Sequence, residues 1–373
     1  MDALTTPSNW QKVRLGDVGK PCMCKRVMKH QTTRYGEIPF YKIGTFGNTA
    51  DAFISKKLFL EYKTKYSFPK KGDILISASG TIGRAVIYDG KPAYFQDSNI
   101  VWIDNDETLV KNDFLFYAYS NIKWNTEHTT ILRLYNDNFR NTLIPLPPLN
   151  EQIAIANILS TLDSYLCSLD ALILKKESVK KALSFELLSQ RKRLKGFNQA
   201  WQRVRLGNIA NYLTSNLSAE QITQQGKIKV YDVNNFIGYT NTTFISDKPY
   251  ISIVKDGSVG RVRILPPKTN ILSTMGALIA NHKTTTEFLF YLLSNFDFKN
   301  FTSGSIIPHI YFKDYKEKTI FLPPLNEQIA IANILSALDH EIISLKNKKR
   351  QFENIKKALN HDLMSAKIRV LKK

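Results

Sequence analysis

The sequence has few cysteines and no long apolar run. Cys22, Cys24 and Cys167 are an odd and sparse set, which predicts a reducing environment and no disulfide framework. No hydrophobic stretch approaches the roughly 20 residues needed to cross a bilayer, and residues 1–10 lack the basic and apolar regions of a signal peptide. We therefore expect a cytoplasmic protein that does not contact a membrane.

The sequence also lacks the motifs of common catalytic sites. It contains no phosphate-binding G-x-x-x-x-G-K-[ST] loop and no G-x-S-x-G nucleophile elbow. Both Pro-Pro pairs stand between leucines, without the preceding Asn or Asp of an amino-methyltransferase. The histidines show no metal-ligand spacing, and only His30 lies near Cys22 and Cys24, which is too few ligands for zinc. We predict a binding protein with no catalytic residue, metal or cofactor of its own.

Acidic residues are scarcer than basic residues in this sequence. The 52 Lys and Arg residues outnumber the 32 Asp and Glu residues, which gives a net charge of +20. Residues 164–195 contain eight basic and three acidic residues, and residues 340–373 contain ten and three, so these stretches carry 12 of the 20 excess charges. Such a concentrated surplus is typical of a protein that binds a polyanion. A generally basic soluble protein is the alternative.

The main positive feature is an internal repeat. Leu146–Asp163 reads LPPLNEQIAIANILSTLD, and Leu322–Asp339, which starts 176 residues later, reads LPPLNEQIAIANILSALD. Only Thr161 and Ala337 differ. A repeat of this kind predicts that the chain contains two copies of one structural plan.

A second pair of matching segments marks the start of each half. Residues 10–16 read WQKVRLG, and residues 201–207 read WQRVRLG. The chain is therefore expected to alternate two variable domains with two repeat helices. The predicted bounds are 1–145 for the first variable domain, 146–195 for the first repeat helix, 196–321 for the second variable domain and 322–373 for the second repeat helix.

The repeats predict two long helices that pair with each other. Asn150 and Asn326 follow the Pro-Pro pairs and are the predicted N-caps. Apolar residues then recur at steps of three and four, the pattern of a coiled-coil seam. Antiparallel pairing would relate the two halves by an approximate two-fold axis. The predicted seam contains Leu159, Leu162, Leu166, Leu169, Ile173, Leu183 and Leu187, with Leu335, Leu338, Ile342, Leu345, Phe352, Leu359 and Leu363. The seam is expected to be weak, or to open, at Lys176, Lys180, Lys349 and Lys356.

The variable segments mix strand and helix patterns, which predicts an α+β protein with two similar α/β domains. Gly80–Arg84 matches Gly257–Arg261, and Ile131–Tyr135 matches Ile307–Tyr311. The glycines could form tight turns or could let backbone N–H groups bind phosphate. Strands are predicted at 73–77, 99–103, 229–233, 252–254 and 261–265, and helices at 113–121 and 286–295.

The sequence resembles the specificity subunits of Type I restriction–modification systems. The resemblance rests on Leu-Pro-Pro-Leu-Asn-Glu-Gln at 146–152 and 322–328, each followed by an amphipathic helix, and on Gly304-Ser-Ile-Ile-Pro308. It covers the whole chain in the family's order. It implies two target-recognition domains separated by two long antiparallel coiled-coil helices. Each domain would read one half of a bipartite, asymmetric DNA site, and the helices would fix the spacer.

The resemblance also implies partners. Two modification subunits, which bind S-adenosylmethionine, would dock on the repeats, and restriction subunits that hydrolyse ATP would complete the complex. This chain would be its non-catalytic DNA-recognition subunit. The predicted partner-binding residues are Asn150, Glu151, Gln152, Asn326, Glu327 and Gln328.

DNA contacts are predicted on both the helices and the domains. Cations on the helices would bind phosphates, and polar side chains of the domains would read base edges in the major groove. The alternative for each is an ordinary solvated surface residue. The phosphate candidates are Lys175, Lys176, Lys180, Lys181, Lys348, Lys349, Arg350 and Lys356. The base-reading candidates are Lys25, Arg26, Arg34, Tyr35, Ser79, Thr81, Arg84 and Arg133 in the first domain, and Lys227, Tyr231, Lys255, Ser258, Arg261, Ser305 and His309 in the second.

Two other functions remain open from the residues alone. A self-contained methyltransferase or nuclease would need a cofactor motif that the sequence lacks. A duplicated basic coiled-coil scaffold for protein interactions, without sequence preference, would bind heparin and random DNA alike.

Overall fold

The structure is a computed structural model that describes residues 9–128, 132–233 and 235–370. The chain divides into two compact units, one made of Met1–Leu169 with Lys348–Lys373 and the other of Asp170–Asn347. Each unit contains one variable domain and parts of both repeat helices. The start of the predicted first domain (1–8), the end of the second repeat helix (371–373) and Ile131 lie outside the described residues.

The first unit has the following elements. Its strands are β1 (Gln11–Arg14), β2 (Gly19–Met23), β3 (Ile38–Tyr41), β4 (Phe53–Ile54), β5 (Ile74–Ser77), β6 (Ala85–Ile87), β7 (Tyr94–Phe95), β8 (Ile100–Asn105), β9 (Glu127–His128), β10 (Leu132–Arg133) and β11 (Leu143–Leu146). Its helices are α1 (Leu15–Val18), α2 (Lys56–Lys65), α3 (Asn112–Tyr119), α4 (Asn136–Asn141) and the start of α5 (Leu149–Leu188).

The second unit follows the same plan with fewer helices. Its strands are β12 (Gln202–Arg205), β13 (Ala210–Thr214), β14 (Ile228–Tyr231), β15 (Phe236–Thr240), β16 (Tyr250–Val254), β17 (Val262–Leu265), β18 (Thr269–Ile271), β19 (Met275–Ala280), β20 (Thr302–Ser303), β21 (His309–Ile310) and β22 (Thr319–Leu322). Its helices are α6 (Thr286–Ser294), α7 (Phe312–Tyr315) and the start of α8 (Leu325–Met364).

Each domain contains a four-stranded and a three-stranded sheet. The strand orders are β2-β8-β5-β6 and β4-β3-β7 in the first unit, and β13-β19-β16-β17 and β15-β14-β18 in the second. The central strand β5 is buried on both faces and is apolar from Ile74 to Ile76. Ile74 and Ile76 enter one apolar core and Leu75 enters another, as the alternation of side chains along a strand requires.

A two-stranded ribbon joins the two ends of each domain. β1 pairs antiparallel with β11, with Gln11 opposite Leu146, and β12 pairs in the same way with β22, with Gln202 opposite Leu322. The tryptophan-led segment that opens each domain therefore lies beside the strand that leads into the repeat. In each unit, the matching segment at the start of the domain is therefore adjacent to the start of the repeat.

The repeat helices α5 and α8 have 40 residues each, about 60 Å at ~1.5 Å per residue. The predicted N-cap position was wrong. α5 begins at Leu149, and the Pro148 carbonyl accepts hydrogen bonds from the N–H groups of Glu151 and Gln152. Asn150 therefore lies in the first turn, where its Oδ1 accepts from Glu151 N at 2.9 Å. No helix in the described ranges is long and apolar enough to span a membrane.

Segments of the two helices pair antiparallel within each unit. In the first unit, Tyr165 packs on Phe352 and Asp163 pairs with Lys356. In the second unit, Lys176 pairs with Glu341 and Lys180 with Asp339. The predicted seam residues are buried or half-buried throughout, which confirms the seam. The coiled-coil pattern was sufficient to find it, because burial follows the three-and-four spacing.

A buried carboxylate joins three parts of the first unit. Glu151 is only 2% exposed. Trp10 Nε1 donates to its Oε2 at 3.1 Å, and Arg369 donates to both oxygens, at 2.7 and 2.9 Å. The domain start, the repeat helix and the segment after α8 thus share one charged anchor.

Gln152, the next residue, closes the same junction. Its Nε2 donates to the carbonyls of Leu109 and Pro147, at 3.0 and 2.9 Å, and its Oε1 accepts from Lys111 N at 2.9 Å. The side chain is 1% exposed and hydrogen-bonded at both ends. It therefore holds the N-terminal turn of α5 against the body of the domain.

The second unit repeats this junction. Glu327 has no exposed surface and accepts from Trp201 Nε1 at 3.0 Å, and from Arg193 at 3.1 and 2.6 Å. Gln328 Nε2 donates to the carbonyls of Lys283 and Pro323. Its Oε1 accepts from Thr284 and Thr285.

We predict that Glu151→Ala destabilises the first unit by about 2 to 4 kcal/mol, because it leaves a cation and a buried indole N–H without their acceptor. Urea unfolding followed by tryptophan fluorescence measures this loss. Asn150→Ala is the matched control, because Asn150 is exposed and adjacent, and it should change stability by less than about 0.5 kcal/mol. Equal effects of the two substitutions would contradict the anchor.

Candidate DNA interface and assembly surface

In the first domain, the glycine turn and the strand β10 form one ridge. Ser79 and Arg133 are bridged as antiparallel neighbours, Gly80 N donates to Leu132 O at 3.2 Å, and Leu134 N donates to Ala78 O at 2.9 Å. Ser79 and Thr81 therefore share this ridge with Arg133, a third predicted base-reading residue that is far from them in the sequence.

The residues of this ridge differ in their exposure to solvent and in their internal hydrogen bonds. Ser79 is buried and its Oγ donates to Asn99 Oδ1 at 2.8 Å, so its contacts are internal. Thr81 and Arg133 are exposed. Arg84 is also exposed, but its Nη1 donates to Phe46 O at 2.8 Å. Thr81 and Arg133 are the residues of the ridge best placed to meet a ligand.

The second domain builds the corresponding ridge from different residues. Asp256 and His309 are bridged as antiparallel neighbours, Gly257 N donates to Pro308 O at 2.9 Å, and Ile310 N donates to Lys255 O at 2.9 Å. His309 Nδ1 lies 2.6 Å from Asp256 Oδ1. His309 thus occupies the place of Arg133, as the sequence match predicts.

Ser258, Arg261 and Ser305 are exposed on or beside this second ridge. Ser258 lies in the turn between β16 and β17, and Arg261 immediately precedes β17. Ser305 lies between β20 and β21. The ridge therefore carries five of the seven base-reading candidates of the second domain.

The other candidates lie near the three-stranded sheets or follow β2. Lys25 lies over the Tyr66 ring at 5.1 Å, and Arg26 pairs with Asp97 at 3.0 Å. Arg34 and Tyr35 precede β3 and are exposed, with Tyr35 87% exposed. In the second domain, Lys227 precedes β14 and is exposed, whereas Tyr231 lies in β14 and its ring receives the Arg263 guanidinium at 5.3 Å.

The glycine turns connect antiparallel strands, β5 with β6 and β16 with β17. Gly80 and Gly257 have φ of +66° and +82°, a region that L side chains rarely adopt, and open space surrounds both. The tight-turn interpretation is confirmed. Phosphate binding by these loops stays a prediction.

Two lysines of the seam, Lys180 and Lys356, do not open it. Lys356 pairs with Asp163, which also accepts from Tyr117 Oη at 2.8 Å. In the second unit, Lys180 pairs with Asp339, which accepts from Tyr291 Oη at 2.9 Å. At Lys180 and Lys356 the expectation of a weak point was wrong, because each finds a carboxylate on the facing helix.

Both tyrosines of these clusters belong to the domains, on α3 and α6. Burial, and then the hydrogen bond to Asp163, raises the pKa of Tyr117 well above its usual range, and the pKa of Tyr291 rises for the same reasons beside Asp339. Each hydroxyl stays protonated at neutral pH and remains a donor. Each cluster therefore ties a domain helix to both repeat helices.

The remaining phosphate candidates differ in their surroundings. Lys176 pairs with Glu341, and Lys349 with Glu353 at 3.5 Å, so their charges are partly offset. Lys348 lies over the Tyr165 ring at 5.7 Å. The candidates exposed to solvent are Lys175, Lys181, Lys348 and Arg350.

Four of the six residues predicted to bind partners are buried. Glu151, Gln152, Glu327 and Gln328 are at most 2% exposed and hydrogen-bond within their own unit. A direct contact from these side chains to another subunit is not compatible with this burial. Asn150 and Asn326 are exposed, so the prediction is still open for them.

The nearly identical repeats also share a set of exposed positions, which we name the outer stripe. Steps of three and four residues place them on one side of the helix, away from the buried face. The isoleucines are 45% and 48% exposed. The outer stripe consists of Asn150, Ile153, Asn157 and Thr161 in the first repeat, and of Asn326, Ile329, Asn333 and Ala337 in the second.

Sequence reasoning missed the two tryptophans and the two aspartates of these junctions. Trp10 and Trp201 open the matching segments, and Asp163 and Asp339 close the repeated block. A polar residue kept in both copies of a helix is a signal for a shared contact. The partners themselves are 126 to 141 residues away in the chain for the tryptophan–glutamate pairs, which no local pattern identifies.

Comparison with known proteins shows the family. The family model described as the Type I restriction modification DNA specificity domain matches residues 7–176 and again residues 198–354. The two matches cover most of the chain, and each includes one copy of the repeat.

Two similar proteins are named as specificity subunits of type I restriction enzymes. The chain is 62% identical over 153 residues to the type I restriction enzyme specificity subunit S.HindORF215P of Haemophilus influenzae, across 41% of this chain and 40% of that protein. It therefore spans less than half the length of this relative. It is 31% identical over 336 residues to the type I restriction enzyme MjaX specificity subunit of Methanocaldococcus jannaschii, across 80% of this chain and 79% of that protein.

A solved structure shows the same fold. The S subunit of a Type I restriction–modification system from M. genitalium superposes with a TM-score of 0.65 and 20% identity, across 97% of this chain and 98% of that one. The predicted α+β class with two domains and long helices is thus confirmed. The chain belongs to the family of Type I restriction–modification specificity subunits.

Proposed function

We propose that this chain recognises a bipartite double-stranded DNA site, with one half read by each variable domain. The observation that carries the proposal is the pair of ridges. They have the same backbone pairing, Ser79 with Arg133 and Asp256 with His309, but they present different side chains. Two ridges with the same backbone pairing but different side chains suit an asymmetric DNA site whose two halves differ in sequence.

The exposed side chains of the ridges suit base edges. Arg133 can donate two hydrogen bonds to guanine O6 and N7, and Thr81 and Ser258 can donate to or accept from either base of a pair. His309 is oriented by Asp256, which fixes the direction in which the far ring nitrogen points. Turns and short hairpins of this kind are the elements that reach into a groove, while sheets hold them in place.

Phosphate contacts would come from exposed cations on the helices, chiefly Lys175 and Lys181. Lys180 and Lys356 are poorer candidates, because a carboxylate already neutralises each. Sequence-independent affinity would then depend steeply on salt, since binding releases counterions from the DNA.

Catalysis belongs to partners in this proposal. Two modification subunits that use S-adenosylmethionine would each dock on one outer stripe, and restriction subunits that hydrolyse ATP would join them, in the cytoplasm where DNA is accessible. Folding explains why the buried face of the repeats is identical, but it does not require an exposed isoleucine at the same place in both. A shared partner surface explains Ile153 and Ile329.

The scaffold alternative predicts no sequence preference. It accounts for the basic helices and the repeats, but it gives no role to two ridges with different residues on one frame. Heparin and random DNA would bind a scaffold as well as any defined duplex.

The function is tested by co-expression of this chain with its modification subunits, followed by sequencing of methylated bases in the host DNA. We expect one split motif with a spacer of fixed length. Methylation without a motif, or an assembled complex that methylates nothing, would count against DNA recognition by this chain.

The partner surface is tested with Ile153→Asp, Ile329→Asp and the double variant. Each single change should remove one of two modification subunits, and the double change should remove both, because a charge at a buried contact has no partner. Native mass spectrometry counts the subunits. Ile343→Asp, at an equally exposed position of α8 outside the repeated block, is the control. Two retained subunits in the double variant would exclude this surface.

The phosphate contacts are tested by the salt dependence of binding to non-specific DNA. For each lost contact, the slope of log K against log salt should fall by about 0.9. We expect that change for Lys175→Ala and for Lys181→Ala. Lys176→Ala should leave the slope nearly unchanged, because Glu341 offsets its charge. Slopes of Lys175→Ala and Lys181→Ala equal to the wild-type slope would show that these helix faces do not meet DNA.

A further inference from the structure

We propose that Ile306 is a specificity-determining residue that contacts the 5-methyl group of a thymine in the half-site of the second domain. The inference rests on the proposed function and deepens it, because it names a chemical feature that one reader would recognise. Ile306 was not among the base-reading candidates, which were chosen for their polarity.

Ile306 is 93% exposed, and its neighbour Ile307 is 54% exposed. Both lie in the reversal between β20 and β21, where Gly, Asn, Asp, Ser or Pro normally stand. Neither side chain contributes to an apolar core of the second unit. Filling of these cores therefore does not account for the apolar tip.

The hairpin presents this tip on a fixed base. Ser303 pairs with His309, Gly257 N donates to Pro308 O at 2.9 Å, and Ile310 N donates to Lys255 O at 2.9 Å. Gly304 has φ +90°, a conformation that starts the reversal and that favours glycine. The tip therefore projects from the same ridge that carries His309.

The shape and chemistry of the tip select the major groove. A two-stranded ribbon enters the major groove, about 12 Å wide, but not the minor groove, about 6 Å wide. The thymine methyl group is the apolar feature on the floor of the major groove, and aliphatic side chains contact it. Ser305 and His309 lie on either side of Ile306 and Ile307 and can bind the polar atoms of the adjacent bases.

The test uses the complex of this chain with its modification subunits and a duplex carrying the methylated motif. The half-site of the second domain is the half that changes when residues 196–321 are exchanged. Each thymine in it is replaced singly by uracil, which deletes the methyl group and keeps the base pair. At one position we expect the wild-type complex to bind about fourfold more weakly, the equivalent of one buried methyl group at ~0.8 kcal/mol. Ile306→Ala should bind thymine and uracil duplexes equally.

Two variants make the result specific. Ile306→Val should keep most of the preference for thymine. Leu132→Ala, an exposed apolar position on the hairpin of the first domain, should leave the preference in the second half-site intact.

Several results would overturn the inference. A second half-site with no thymine would do so, as would an equal uracil effect in the wild type and Ile306→Ala. Loss of modification subunits from Ile306→Ala without DNA would show a protein contact at the tip instead. Absence of any motif would count against the proposed function itself, and is distinguishable because no half-site could then be defined.

Discussion

A buried carboxylate lies at each place where a domain meets a repeat helix, and the rest of each unit depends on how its charge is satisfied. Glu151 and Glu327 are almost without exposed surface, and a carboxylate in such a position is tolerated only with charged and hydrogen-bonding partners. Those partners are an indole from the start of the domain and a guanidinium that follows the facing helix. Three distant stretches of chain must therefore arrive together before the anchor is complete.

This requirement explains much of the internal repeat. Glutamate and glutamine at the first turn bond to backbone and side chains of the domain, and aspartate at the end of the block bonds to a tyrosine of the domain and a lysine of the other helix. A substitution at any of these positions therefore breaks more than one contact between distant parts of the unit. The one difference between the copies, Thr161 against Ala337, falls on the exposed side, where it breaks none of these contacts.

The same constraint frees the domains to differ. Each domain is attached through its ends, by the ribbon β1–β11 or β12–β22 and by the anchor, while its ridge lies in turns and a hairpin elsewhere. The ridges can therefore exchange Arg133 for His309 without disturbing the attachment. The proposed recognition of two different half-sites depends on this separation between the attachment of the domain and its ridge.

The sequence predicted what depends on local periodicity. The strand predicted at 73–77 is β5, the helix at 286–295 is α6 within one residue at its end, and the seam follows its predicted spacing. Position-to-position matches between the halves also predicted that Arg133 and His309 are equivalent. Contacts between distant segments were not predictable in this way. Lys176, Lys180 and Lys356 seemed disruptive because their partners, Glu341, Asp339 and Asp163, lie on the other helix. The buried Glu and Gln seemed available to partners because burial depends on the assembled junction.

In the proposed function, each domain reads its half-site independently from a shared frame. Exchange of Trp10–Ile144 for the corresponding domain of another family member tests it most directly, with methylated bases of the host DNA sequenced before and after. We expect one half of the motif to change, while the other half and the spacer length stay the same. A change in both halves or in the spacer, from a complex that still assembles, would contradict it.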